Sequence, residues 1–179
     1  NALSDDNKCA IHLSFSINEN WPYDWSEFCG PTSITQDNIQ SAVDLWVTNP
    51  SQAEETFGHI SDWDVSAVTD MSSLFNHTNF PDGATNFNDD IGNWDVSSVQ
   101  NMKNTFNNAS AFNQDLSSWD ISNVTEMNNN TFLNTALSDE NKCYIDASWS
   151  QQSSNWPYDW SENQDCAGDC YGYSDIYDW

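Results

Sequence analysis

Asp64, Asp95 and Asp120 each follow a tryptophan and precede a β-branched residue and a serine, in Trp63-Asp64-Val65-Ser66, Trp94-Asp95-Val96-Ser97 and Trp119-Asp120-Ile121-Ser122. If the units carrying them stack as paired strands, the three carboxylates form a column with a spacing of about 4.8 Å. Each neighbouring pair then repels by roughly 0.9 kcal/mol even in bulk water. Backbone amides or the serine hydroxyls two residues later can offset that repulsion, and this is the reading preferred here. A calcium ion taking oxygen ligands is the sharper alternative, with Asp89/Asp90 and Asp165/Asp169 as further acid clusters. None of these has the spaced ligands and central glycine of an EF-hand loop. His12, His59 and His77 are scattered, and no nucleophile elbow, His-Glu-x-x-His or phosphate-cradling glycine loop is present. The expectation is a protein without catalytic residues.

Two aromatic motifs offer a second chemistry. Trp21-Pro22-Tyr23-Asp24-Trp25 returns as Trp156-Pro157-Tyr158-Asp159-Trp160. Trp21, Tyr23, Trp25, Trp156, Tyr158 and Trp160 could stack on sugar rings or contact a partner, although a proline-fixed aromatic turn more often packs on its own module. Sulfur chemistry is the third. The five cysteines lack a Cys-x-x-Cys pair and accompany few histidines, which argues against zinc and for disulfides. The internal duplication selects Cys9 with Cys29 and Cys143 with Cys166, each closing a loop worth roughly 3 kcal/mol in the chain-entropy model. Cys170 is then left over as a free or intermolecular thiol. Disulfides imply an oxidising, extracellular compartment. Sequons at Asn76, Asn108, Asn123 and Asn129 point the same way, against a background of many Asn and Ser that produces sequons by chance. No secretory leader is visible at the amino end, which reads as a mature form or a piece of something longer.

The elements that position these residues are repeats at two scales. The Trp-Asp-Val/Ile-Ser-x-Val-x-x-Met unit recurs at tryptophan spacings of 31 and 25, with the excess taken up by a longer segment between Phe75 and Phe87 than between Phe106 and Phe112. A period of about 25 predicts a solenoid. Within a unit, Trp119 and Ile121 alternate around Asp120 as in a short strand, and Ser122 can cap a helical turn carrying Val124, Met127 and Phe132. Phe112-Asn113-Gln114-Asp115-Leu116 returns the chain to the next level. Stacking then aligns the Trp, Val/Ile, Met and Phe positions, and the aromatic stripe reads as a core ladder rather than a sugar platform. Upstream, Thr35 to Asn38 opens a helix with an Ile39, Ala42, Val43, Trp46, Val47 stripe that Asn49-Pro50 ends, and Ser51 to Glu54 reads as a capping box for a second helix stopping at Gly58. This pair is placed to cap the array.

The larger repeat joins the two ends. Ala2-Leu3-Ser4-Asp5-Asp6-Asn7-Lys8-Cys9, leading to Trp21-Pro22-Tyr23-Asp24-Trp25, recurs as Ala136-Leu137-Ser138-Asp139-Glu140-Asn141-Lys142-Cys143, leading to Trp156-Pro157-Tyr158-Asp159-Trp160. Ser4 and Ser138 are predicted helix caps, with Ile11/Phe15 and Ile145/Trp149 on the buried side. His12 is Asp146 in the second copy, which argues against a catalytic role there. The expected organisation is an end module over 1–33, a helical cap over 34–58, three repeats over 59–135 and a second end module with a Cys/Gly/Asp tail over 136–179. The fold class expected is an α/β repeat, a short leucine-rich-repeat-like solenoid with a helical N-side cap and two duplicated disulfide-bonded helical end modules.

Trp-Asp-Val-Ser-x-Val-x-x-Met followed by Phe-Asn-x-Asp-Ile/Leu-x-x-Trp resembles the BspA-like leucine-rich-repeat surface proteins over about residues 35–135. That resemblance implies surface-exposed adhesins or interaction proteins and brings no catalytic residues.

Charge limits the partners. The chain has 179 residues with 28 Asp plus Glu against 3 Lys plus Arg, a formal net charge of -25. Such a surface has no basic patch for nucleic acid and is repelled by an anionic leaflet, and no apolar run is long enough for membrane insertion. Ten Trp, nine Phe and six Tyr nonetheless supply a core. The function expected is a secreted, non-enzymatic structural protein, the repeat subunit of an extracellular filament, appendage or surface layer formed by head-to-tail stacking and self-association. The rival expectation is a cell-surface adhesin that binds a glycan or protein, with calcium as the candidate cofactor.

Overall fold

The computed structural model describes residues 3–15, 18, 20–23, 25, 30–76 and 86–160. The chain divides into two compact units, Asn1–Thr32 and Ser33–Trp179. In the first unit, helix α1 spans Asp5–Phe15. Ser4 caps it, its Oγ accepting from the Asn7 amide at 3.3 Å.

The second unit opens with α2 (Ile39–Thr48) and α3 (Pro50–Phe57), which pack together. Ile39, Ala42, Val43 and Trp46 are buried, as the helical stripe requires. The boundary between them differs from the sequence expectation. Asn49 ends α2 and also caps α3, its side chain accepting from the Gln52 amide, and Pro50 takes the first helical position, where no amide hydrogen is needed. Thr35 makes no cap for α2, whose N-cap is Asn38 without a side-chain bond.

Three coils follow, the first described at 60–76 and 86–87 and the others at 91–112 and 116–133. The periodicity places their cores well. Trp63, Val65, Val68, Met71 and Phe75 are buried, and so are Trp94, Val96, Val99, Met102 and Phe106, and Trp119, Ile121, Val124 and Phe132. The α/β leucine-rich-repeat solenoid does not stand, however. Among the described residues there are four α-helices, one short 3-10 helix at Ile60–Asp62 and no strand, only two isolated parallel bridges, Asp70 to Asn101 and Asn101 to Glu126.

The reason lies in where the amides go. Each coil is a run of tight turns. The Trp94 amide donates to Ile91 O, Val99 to Val96 O, Ala109 to Phe106 O and Phe112 to Ala109 O, and coil 3 repeats the first two bonds at Trp119 and Val124. An amide used three residues back inside its own coil is lost to a ladder with the next. Trp-Asp-Val therefore alternates in burial as a strand does without pairing as one. Backbone bonds between coils begin only after it, with Met71 N to Asn101 O, Ser73 N to Lys103 O and Phe75 N to Thr105 O, then Met102 N to Glu126 O and Phe106 N to Thr131 O. Asn104 and Asn108 hold the left-handed backbone that two turns require, at φ of 58° and 61°.

The second end module is not a separate helical module but part of this stack. Helix α4 (Asp139–Gln152), capped by Ser138, buries Cys143, Ile145 and Trp149. Cys9 and Cys143 are both disulfide-bonded. Cys29, Cys166 and Cys170 lie outside the described residues. Among those described, no helix is long and apolar enough to cross a membrane.

Candidate functional site

Aromatic rings run through the second unit in register. Trp63, Trp94 and Trp119 lie nearly parallel at centroid distances of 6.1 and 6.4 Å, and Trp149 from α4 adds a fourth member at 6.1 Å. Phe75, Phe106 and Phe132 stack beside them at 5.3 Å per step, within 5° of parallel. Offset stacking of this kind contributes about 0.5–1.5 kcal/mol per pair beyond area burial. Each indole N–H reaches back one coil. Trp94 Nε1 donates to Ile60 O, Trp119 Nε1 to Ile91 O and Trp149 Nε1 to Leu116 O, at 2.8–3.1 Å. Trp94, Trp119 and Trp149 thus each give a second hydrogen bond to a buried carbonyl that already accepts the amide of the tryptophan one level down.

Both ends of the ladder are closed. At the N side, Trp46 meets Trp63 edge-on at 82°, and Gln36 imitates a preceding coil. Its Oε1 accepts from the amides of Thr69 and Asp70 at 2.8 Å each, as the Thr69 carbonyl does from Gln100 and Asn101 one level up. At the C side, residues 136–160 form a fourth coil with α4 inserted in it. Leu137 follows Phe87 and Phe112 at the same spacing of 25. The Ser138 amide donates to Asn113 Oδ1 as Asn113 does to Asn88 Oδ1. Gln152 accepts from the Ile121 amide and donates to Trp119 O. The Tyr158 hydroxyl accepts from the Phe132 amide at 2.8 Å, and Trp156 meets Trp149 edge-on at 80°. Burial pushes the Tyr158 phenol up to about 12, partly opposed by the Phe132 hydrogen bond. Tyr158, Trp156 and Trp160 are thus half-buried against Phe132.

The first copy is built from the same residues and lies in its own unit. Trp21, Tyr23 and Trp25 cluster there, Tyr23 stacked on Trp25 at 5.3 Å and Trp21 edge-on to both. Phe15, expected on the buried side, is 51% exposed and stacks on Trp21, whereas its counterpart Trp149 is fully buried. His12 replaces Asp146 with a consequence for the indole beside it. In the second copy, Asp146 Oδ1 accepts from Trp156 Nε1 at 2.7 Å. His12 Nδ1 instead accepts from the Trp25 amide, and Trp21 Nε1 is buried without a partner.

The aspartate column has a local explanation. Asp64 and Asp95 each accept from the amide and hydroxyl of the serine two residues on, at 3.0 and 2.6 Å, and Asp120 accepts from the Ser122 amide at 3.0 Å. These serine bonds hold all three carboxyls below their usual range. At Asp95 the repulsion from Asp64 and Asp120 is the smallest of the contributions. The same two-residue turn appears at Asp70, Asp90 and Asp115. Asp89 accepts from Trp46 Nε1. Asp165 and Asp169 lie outside the described residues, among which no group of three or more His, Cys, Asp or Glu is placed to hold a metal ion.

The sequon asparagines fall in different settings. Asn76 is buried, with His77 and Thr78 outside the described residues. Asn108 is half-buried and bonded to Asn107 and Asn134, and Asn123 donates to Ser97 O. Asn129 is exposed. One cavity of about 200 Å³ lies between Trp46, Pro50, Phe87 and Asp89, and its only carboxylate is the one that accepts from Trp46.

Sequence reasoning missed Gln36, Gln152 and Trp149 as parts of the stack. The spacing of 25 from Phe112 to Leu137 was the available signal. Searches of curated proteins and of solved structures return no match. A family model described as "Mycoplasma protein of unknown function, DUF285" matches residues 46–156, which span the ladder from Trp46 to Trp156 and more than half of the chain. On that match the chain belongs to the DUF285 family.

Proposed function

We propose that this is a non-enzymatic structural protein of an extracellular assembly, in which the second unit serves as a closed, rigid building block. The observation that carries this is the aromatic ladder sealed at both ends by perpendicular tryptophans and backbone-mimicking glutamines. Such a body resists deformation because each coil is tied to the next by rings, indole N–H bonds and backbone bonds at once. Sealed ends do not favour coil-on-coil stacking of whole chains, so contacts to neighbours run through the first unit. The disulfides at Cys9 and Cys143 support an oxidising compartment. The likeness of the repeat to the BspA-like surface proteins supports a surface or appendage location. Immunogold labelling of native material tests the reading. Label on extracellular layers or appendages is expected, and label confined to the cell interior refutes it.

One observation favours a second reading, glycan binding by an adhesin. Tyr23 is 55% exposed beside Trp25, a ring free for sugar stacking, whereas Tyr158 and Trp160 are engaged with Phe132. A glycan array probed with the intact chain and with Tyr23→Ala separates the two, and an array without Tyr23-dependent signal removes this reading.

A further inference from the structure

Three of the four large hydrophobic side chains exposed among the described residues are Leu3, Phe15 and Tyr23, at 45%, 51% and 55%. Their counterparts in the second copy are Leu137, Trp149 and Tyr158, the residues by which that copy closes coil 3. Leu137 is 5% exposed and Trp149 not at all, and Tyr158 receives the Phe132 amide. Ser14 shows the same difference. Its hydroxyl turns back to Ala10 O in its own helix, whereas the equivalent Ser148 hydroxyl donates across to Ser117 O of coil 3. Asn7, exposed in the first copy, corresponds to Asn141, which donates to both oxygens of Asn113.

Resting on the structural role above, we propose that the described residues among 3–25 form a docking module whose occupant is the bare C-side face of a repeat coil of the 116–133 kind, other than the three coils within 60–133. The second copy shows what covers this face and with which atoms. Leucine continues the Phe column, the aromatic of α1 stacks on the coil's tryptophan, and the tyrosine hydroxyl takes the amide at the Phe132 position. The three coils within 60–133 are not the occupant, because coil 1 is covered by coil 2, coil 2 by coil 3 and coil 3 by the second copy. Phe15 cannot repeat the Trp149 N–H bond to Leu116 O, so the first copy binds a coil more weakly than the tethered second copy does. The intact chain therefore does not exchange one for the other.

The experiment uncovers coil 3 in the full chain. Trp149→Asp places a charge against Trp119 and frees the face, and Trp149→Phe with Tyr158→Phe loosens it while preserving volume. Near-UV circular dichroism selects the variant that keeps the folded signal for sedimentation equilibrium. The opened chain is expected to rise from 20.3 kDa to at least twice that mass with increasing concentration. Adding Leu3→Asp and Tyr23→Asp to it should return it to one-chain mass. A folded, opened chain that stays at one-chain mass overturns the proposal, as does association undiminished by the Leu3 and Tyr23 changes. Either result leaves the immunogold test of the structural role untouched.

Discussion

Replacing Trp119 tests the ladder at its most connected member. Its side chain is 1% exposed, stacks on Trp94 and Trp149, tilts against Phe106 and donates to Ile91 O. Truncating a buried tryptophan to alanine costs about 3–5 kcal/mol. The Ile91 carbonyl keeps the Trp94 amide as a donor, so loss of the indole hydrogen bond adds about 0.5–1.5 kcal/mol. Trp119→Ala should therefore lose about 3.5–6.5 kcal/mol, a large share of the roughly 5–15 kcal/mol that stabilises a typical domain. Trp119→Phe keeps one ring but removes the N–H, and about 1–3 kcal/mol is expected from the lost hydrogen bond and the smaller ring. Urea unfolding of the oxidised chain, followed by far-UV circular dichroism, reads both. A loss under about 2 kcal/mol for Trp119→Ala refutes the account of the ladder as the main stabilising contact. A Trp119→Phe variant within about 0.5 kcal/mol of the parent refutes the role given to the indole hydrogen bond.

Trp21→Phe provides the contrast, since it deletes a buried N–H that has no partner. It should be neutral or stabilising by about 1 kcal/mol, and His12→Asp should stabilise by a similar amount by supplying the acceptor that Asp146 gives Trp156, both read as slower amide exchange in α1. Gln36→Ala uncovers the Thr69 and Asp70 amides and should cost about 1–2 kcal/mol, with faster exchange at those two amides as the specific sign. The pH dependence has two limbs. Tyr158 is raised, so its neutral form favours the fold; that contribution is intact below the ordinary value of 10.0 and is lost as pH rises from there through about 12, and Tyr158→Phe should flatten that limb of the melting curve. Asp64, Asp95 and Asp120 are lowered by their serines, so their contribution is present above 3.8 and fades as pH falls below it, an acid limb that Ser→Ala changes at 66, 97 and 122 should shrink.

The core was legible in the sequence because burial follows period. Trp63, Trp94 and Trp119, with their Val/Ile and Phe followers and with Met71 and Met102, fall where the repeat puts them, while Met127 is only partly buried. Backbone pairing was not legible, because alternation reports which side chains are buried and not which amides are free. Asp-x-Ser at 64–66, 95–97 and 120–122 was a turn signal: the serine bonds to the aspartates were expected and are present, but they were placed on a strand where the structure makes a tight turn. The second copy was recognised as a duplicate but not as a fourth coil, since α4 interrupts the spacing between Trp119 and Trp149. The difference between Phe15 and Trp149 was likewise hidden. Two near-identical segments differ in burial, and the buried one is the copy that covers coil 3 within its own unit. Open stacking faces were expected for the same reason. Nothing in the residue types of Gln36 or Gln152 announces a side chain that replaces a neighbouring backbone.

Sedimentation equilibrium of the unmodified chain, with free thiols alkylated, tests the sealed stack most directly. A single species at 20.3 kDa across micromolar to submillimolar concentrations is predicted, because Trp46, Gln36, Gln152 and Trp156 leave neither end of the ladder bare. End-to-end polymers that form from the unmodified chain and change with Trp46→Ala or Trp156→Ala would contradict it.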